Sequence, residues 1–286
     1  MGPVLDPRSL LANDRVAHVS LRGQVQARRF VQGEWATVTH SLTELRRSPL
    51  GPRDRQLLYG SRFLVLERHG GFAFGQSACD GYVGYVDLRA LGADQTPTHW
   101  LSAPGSHLYT APNIKTPEAM PLSLGAHLSV VADIDDLFVQ TAHGFFALRG
   151  HLSAIGQWAG DPVAVAMGFL GTPYLWGGNS RAGIDCSGLV QAALLACGIS
   201  CPGDSDQQCA RFGQNLPDTA TLQRGDLLFW PGHVAMVCDE HSLIHATAHV
   251  MAVCQEEIAT VLARINMPLI GRKRIEPPSA TLRANT

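Results

Sequence analysis

The apolar positions of this 286-residue chain change their period about halfway along it. Up to about residue 152, short runs alternate apolar with polar residues between Gly, Asp and Pro, as at 16–21, 62–66, 72–76 and 82–88. Alternation turns one face of a strand toward a core, and runs this short predict small all-β barrels. A repeat divides them into two. LLYGSRFLVLERHGGFAFGQ (57–76) matches LSLGAHLSVVADIDDLFVQT (122–141) in its glycine, its alternating apolar residues and its closing aromatic strand. GYVGYVDLRAL and GFFALRGHL follow in corresponding places. The expected organisation is an N-terminal segment over 1–13, barrels over 14–91 and 92–152, a third domain over 153–276 and a polar, disordered tail over 277–286.

In the third domain the period becomes helical and then returns to strands. Asp161 caps and Pro162 suits the first position of a helix whose core stripe is Val163, Ala166, Met167 and Leu170. After Cys186, Leu189, Val190, Ala193, Leu194 and Cys197 recur at helical spacing, so that one face meets a core, and Gly198 stands where a stop belongs. CPGDSDQQCARFG (201–213) predicts another helix starting at Asp204 or Ser205. Between 225 and 258 the chain reads as four short antiparallel strands, 226–230, 233–238, 243–247 and 250–255. The fold class is therefore α+β, with helices packed on an antiparallel sheet behind two small barrels.

The candidate chemistry centres on PYLWGGNSRAGIDCSGLV (173–190), which sets Cys186 at the start of an apolar helix behind a glycine-rich turn. Unpaired backbone N–H groups and the positive end of the macrodipole favour a thiolate there, which predicts an exposed sulfur and a lowered pKa. A cysteine nucleophile needs a base, and the base needs a group to hold its ring. His233 opens the second strand and His245 lies in the third, so adjacent antiparallel strands bring the two imidazoles onto one face. The residues alone leave open a buried structural cysteine and two ordinary strand histidines.

The segments PYLWGG, DCSGLV, GDLLFW, GHVAMV and LIHA, in that order, resemble the NlpC-type cysteine peptidases, papain-like enzymes that cleave bacterial cell-wall peptides, over roughly 161–274. The resemblance implies Cys186 as nucleophile, His233 as general base, His245 as its orienter, and the Tyr174 hydroxyl with the Cys186 N–H as oxyanion hole. It also places Asp185 and Ser187 beside the substrate's N-terminal side, Asp185 either binding an amine or serving only as the helix N-cap. The β-rich half resembles bacterial SH3 domains, which commonly precede such peptidases. Relatives so arranged act on small muropeptides in cell-wall recycling, cutting between γ-D-glutamate and meso-diaminopimelate or L-lysine when the L-alanine amine is free. In that picture the first barrel closes one end of the cleft, and Tyr82 rather than Tyr85 forms the wall, core packing being the other role for either ring.

Composition narrows the partners. With 22 basic and 24 acidic residues the net charge is −2, and no basic run argues for nucleic acid or an anionic membrane. MGPVLDPRSLLANDRVAHVS lacks a charged start followed by an apolar core, and no stretch is long enough to span a bilayer, so a cytoplasmic location is expected. Seven scattered cysteines suit reduced thiols, and Cys197, Cys201 and Cys209 lack paired metal-ligand spacing, so neither a metal nor another cofactor is expected. Two other function classes stand beside the peptidase: another thiol amidase or acyltransferase on the same fold, and a catalytically silent peptidoglycan-binding protein. Cys186 precedes His233, whereas permuted acyltransferase relatives place histidine first, and this order favours the peptidase.

Overall fold

The structure is a computed structural model that describes residues 6–275; the expected tail and the first five residues of the N-terminal segment lie outside the described residues. The chain divides into two compact units, Met1–Leu101 with Ser106–Leu152, and Ser102–Gly105 with Ser153–Thr286.

The first unit is built from strands. A seven-stranded sheet runs in the order Arg53–Leu58, Leu42–Arg46, Val83–Asp87, Phe72–Ser77, Arg62–His69, Glu34–Val38, Leu91–Ala93. A five-stranded sheet runs Glu118–Ser123, Gly105–Tyr109, Phe146–Leu148, Phe138–Thr141, Val130–Asp133. The repeat read from the sequence is visible in the backbone. Each copy turns on a glycine with positive φ, Gly60 at +77° and Gly125 at +88°, and each ends in a 3-10 turn, Leu88–Ala90 or Arg149–His151, leading into a three-residue strand. The first expected strand is shorter than its pattern. It ends at His18, whose ring accepts the Ser20 N–H and starts a 3-10 turn over Val19–Leu21.

Tyr82 and Tyr85 separate as their spacing of three demands. Tyr82 joins the core of Val38, Leu45, Phe63, Val65 and Val86, with the Arg55 guanidinium 5.7 Å from its ring centre. Tyr85 packs on the other side with Phe74, and its hydroxyl accepts from Asn13 Nδ2 at 3.2 Å.

Among its described residues the second unit contains four helices, α1 (Pro162–Met167), α2 (Cys186–Ala196), α3 (Ser205–Arg211) and α4 (Ile258–Arg264). Its six-stranded sheet is ordered Gln214–Asn215, Gly271–Arg274, Leu227–Trp230, His233–Val237, Ser242–Thr247, Ala252–Glu257. The last four predicted strands thus stand within two residues of their expected bounds. Leu227–Trp230 is buried on both faces, as a central strand should be. The helix α1 is shorter than its apolar stripe, because Gly168 caps it and leaves Leu170 half exposed in the turn that follows. Helix α4 was not signalled by the strand pattern before it; Ile258 and Val261 carry it onto a core with Leu228, Trp230, Ala235, Val237 and Leu243.

Helix α2 is buried almost all round rather than on the single face its period predicts. Asp185 caps its start, Oδ1 accepting the Gly188 N–H at 2.7 Å. Its end is a Schellman motif, in which Gly198, at φ +73°, donates to Leu195 O and Ile199 donates to Leu194 O, each at 2.9 Å. Cys197 is accordingly the C-cap and not a member of the helical stripe. Gly188 lets this helix meet the glycine-rich turn: a Cβ there would lie 2.6 Å from Gly178 O, a backbone atom that cannot move aside alone. Gly188→Ala should therefore cost about 1–3 kcal/mol of stability in urea denaturation, through overpacking. Gly160→Ala, which meets nothing within 4 Å, should stay within about 0.5 kcal/mol of the parent.

Candidate active site

The residues at the start of α2 are fixed by the turn before it. Tyr174 N–H donates to Met251 O at 2.9 Å, Leu175 N–H to Ile184 O at 3.1 Å, and Gly178 N–H to Leu175 O at 2.8 Å. Asp185 closes the turn as well as capping the helix, with Oδ2 accepting Gly177 N–H at 2.8 Å and Oδ1 accepting Ser187 Oγ–H at 3.2 Å. Ser187 is held from both ends, since its carbonyl accepts from Gln208 Nε2 at 3.0 Å. The side chains of Asp185 and Ser187 thus both carry structural bonds.

Cys186 Sγ lies 4.0 Å from Gly232 O and is stabilised by the backbone N–H groups of Val234, Ser187 and Cys186 itself. Gly232 and Val234 flank His233, so the nucleophile candidate and the base candidate are brought together at the start of the strand His233–Val237. In the next strand pair, Met236 opposes Ile244 and Val237 opposes Leu243, a register whose side-chain parity puts His233 and His245 on one face. His233 Nε2 and His245 Nδ1 are 2.9 Å apart. The hairpin register Leu243↔Glu256 and His245↔Cys254 then sets Glu256 diagonal to His245, with His245 Nε2 and Glu256 Oε2 2.8 Å apart. Arg264, in the last turn of α4, closes the series with a bidentate pair to Glu256, both N···O distances being 2.7 Å. Sequence reasoning missed Glu256 and Arg264. The signal was present for Glu256, two residues beyond Cys254 on the strand that pairs with His245, but the expected strand ends at 255, two residues short of Glu257.

The electrostatics depart from the expected exposed thiolate. Cys186 is 6% exposed, and burial, then Asp185, push its thiol up to about 12, against the lowering by the three N–H groups. Burial likewise pushes His233 down to about 4, helped by His245 and Arg264. The helix N-terminus is outweighed because the sulfur is enclosed and an acidic cap stands beside it. The resting pair is therefore thiol and neutral imidazole. Moving the proton between them makes an ion pair in which each charge offsets the other's burial, which neither does alone. Tyr174 is pushed up to about 12 by burial, then by Cys186 and Asp185, so its hydroxyl remains a donor. Tyr82 belongs to the other unit, where its ring is part of the core.

His245, Cys254 and Glu256 hold donor atoms within 4.8 Å of one another. His245 and Glu256 spend those atoms on each other, and the Arg264 guanidinium covers both Glu256 oxygens, a fixed charge that opposes a cation. Among the described residues no helix is long and apolar enough to cross a membrane.

Comparison with known proteins agrees with this geometry. The NlpC/P60 family matches residues 171–263, and the bacterial dipeptidyl-peptidase SH3 domain matches residues 45–91. The chain is 40% identical over 89 residues to dipeptidyl-peptidase 6 of Lysinibacillus sphaericus, covering 30% of this chain and 31% of the relative. It is 31% identical over 192 residues to the gamma-D-glutamyl-L-lysine dipeptidyl-peptidase of Bacillus subtilis strain 168, covering 61% of this chain and 63% of that protein. The chain thus spans less than two thirds of either relative's length. The crystal structure of an NlpC/P60 family protein from Bacillus cereus ATCC 10987 superposes with a TM-score of 0.74 at 21% identity, covering 85% of this chain and all of that one, which shows a shared fold. With Cys186, His233 and His245 inside the matched segment and the fold shared, residues 171–263 are a domain of the NlpC/P60 family, preceded at 45–91 by a bacterial dipeptidyl-peptidase SH3 domain.

Proposed function

We propose that this protein is a cysteine peptidase that hydrolyses the amide between γ-D-glutamate and a diamino acid, L-lysine or meso-diaminopimelate, in peptides released from the bacterial cell wall. The observation that carries the reading is the placement of Cys186 at the start of α2 against the residues flanking His233, whose ring is tied to His245. The relatives' names supply the bond. A dipeptidyl-peptidase removes two residues from a free amine end, so the substrate would present an unblocked L-alanine, as a released peptide does in cell-wall recycling in the cytoplasm.

In this reaction His233 Nδ1 takes the Cys186 proton, and the thiolate sulfur bonds to the γ-carbonyl carbon. The oxyanion accepts from the Cys186 N–H and the Tyr174 hydroxyl, which burial keeps protonated. The carbon–nitrogen bond then breaks as His233 returns the proton to the departing amine, leaving a thioester. Water, losing its proton to His233, attacks the thioester carbonyl and frees the sulfur, which recovers that proton. Asp185 supplies a negative charge beside the sulfur, where the substrate's ammonium would be attracted, and it does so while capping α2.

Three outcomes test the reading. On L-Ala-γ-D-Glu-L-Lys, followed by mass spectrometry, Cys186→Ala and His233→Ala should each lower kcat/KM by roughly a thousandfold or more, and the double variant should be little worse than either. Additive losses, or labelling of another cysteine by iodoacetamide with loss of activity, would reject Cys186 as nucleophile. An N-acetylated peptide should be cleaved poorly, and Asp185→Asn, which keeps the Oδ1 cap but sets an amide NH2 against the Gly177 N–H in place of Oδ2, should raise KM for the free-amine peptide and lower the melting temperature by several degrees; an unchanged KM leaves Asp185 as a structural residue alone.

The pH dependence follows from burial. His233 is depressed to about 4 from an ordinary 6.5, so the unfolded chain binds a proton between these values that the folded chain refuses. Stability should fall as pH drops through that window, measured as a lower urea midpoint at pH 5 than at pH 7. The acid limb of kcat/KM should lie below the ordinary histidine value for the same reason.

A further inference from the structure

The polar groups behind His233 form a one-way chain whose direction is set at its far end. Both Glu256 oxygens accept from Arg264, and a carboxylate so held can only accept from His245 as well. His245 Nε2 is then the donor, its Nδ1 carries the lone pair, and His233 Nε2–H must donate to it. The order leaves His233 with an unprotonated Nδ1. We propose that Glu256 and Arg264 are positioning residues that fix the proton order of both imidazoles and so hold the base of the reaction in its working tautomer. The inference rests on reading His233 as that base.

Arg264 has a second part in the arrangement. His245 is faced by His233, Cys254, Glu256, Arg264 and, from the hairpin turn, His249. A lone carboxylate at Glu256 would draw a second proton onto His245, whereas Arg264 opposes that charge. A doubly protonated His245 donates from both nitrogens. His233 must then accept at Nε2 and carry its hydrogen at Nδ1, which removes the lone pair that takes the thiol proton. The guanidinium therefore keeps the far end of the chain electrically balanced and the order unreversed. The Cys254 thiol adds a further donor to Glu256 Oε2, at 3.6 Å, and so leaves the direction of the order unchanged.

A bare structural tie between the hairpin and α4 would predict a different result, because it concerns stability and not proton position. The full chain, with 15N-labelled histidines, reports each ring's tautomer directly through two-bond nitrogen–proton correlations. In the parent, His233 and His245 should both carry hydrogen at Nε2 at pH 7. Glu256→Gln, whose amide can donate, should move both rings toward Nδ1–H and lower kcat by about 100-fold with KM within about threefold. Arg264→Gln should raise the acid limb of kcat/KM by about one pH unit, and Arg264→Lys should restore most of it. If Glu256→Gln proves unstable, the two Arg264 variants carry the test. Parent rings protonated at Nδ1, or variants that change only the melting temperature while tautomers and pH profile stay as in the parent, would overturn the inference. A parent that shows the stated tautomers but cleaves no cell-wall peptide overturns the proposed activity instead and leaves the proton order standing.

Discussion

In the proposed reaction a proton must pass between two groups that burial makes reluctant to hold any charge, and this constraint would organise the second unit. Alone, the Cys186 thiolate or the His233 imidazolium would be stranded in a medium that solvates ions poorly. As a pair they compensate, provided that their surroundings are already oriented when the charge appears. The Cys186, Ser187 and Val234 amides are oriented by helix and sheet, and the His245 ring by Glu256. None has to reorganise, which is the advantage of building the site on packed elements rather than on loops.

The glycines of the turn before α2 are part of the same requirement. A Cβ on Gly178 would lie 2.5 Å from Gly183 O, and one on Gly188 would meet Gly178 O, so two backbone segments approach as closely as side-chain-free residues allow. That approach puts Asp185 within reach of Gly177, Ser187 and Gly188 together. Met251 completes the support from the hairpin, holding a left-handed φ of 53° while its carbonyl accepts the Tyr174 N–H. A non-glycine residue in that conformation costs about 1 kcal/mol, a strain the surrounding hairpin sustains beside the site.

What could be read from the sequence was whatever depends on local period. The spacing of Leu189, Val190, Ala193 and Leu194 located α2, and the paired turns located the strands that carry His233 and His245. The repeat in the first half survived because each copy places its glycine where the backbone needs positive φ. Properties set by the sum of distant atoms were illegible. The thiol's pKa was expected to fall because a helix N-terminus was visible and the burial around it was not. Arg264 carried no local mark, since its partner is eight residues away and reached only through the bend from strand into α4.

Asp185 shows why a cap and a substrate contact need not be rival roles. Its hydrogen bonds to Gly177, Ser187 and Gly188 hold the carboxylate in one orientation, but hydrogen bonding does not remove its charge. The same charge raises the Cys186 thiol and the Tyr174 hydroxyl, an electrostatic cost borne beside the nucleophile when the site is empty. A neutral residue with one side-chain acceptor would cap α2 at nearly the same strength without that cost, though it would leave the Gly177 N–H without its acceptor. The cost is recovered if a cation arrives with the substrate, because an ammonium near Asp185 cancels the repulsion felt by the forming thiolate. Binding of the amine end and activation of the sulfur would then be coupled through one carboxylate, so that a peptide lacking the free amine loses rate as well as affinity.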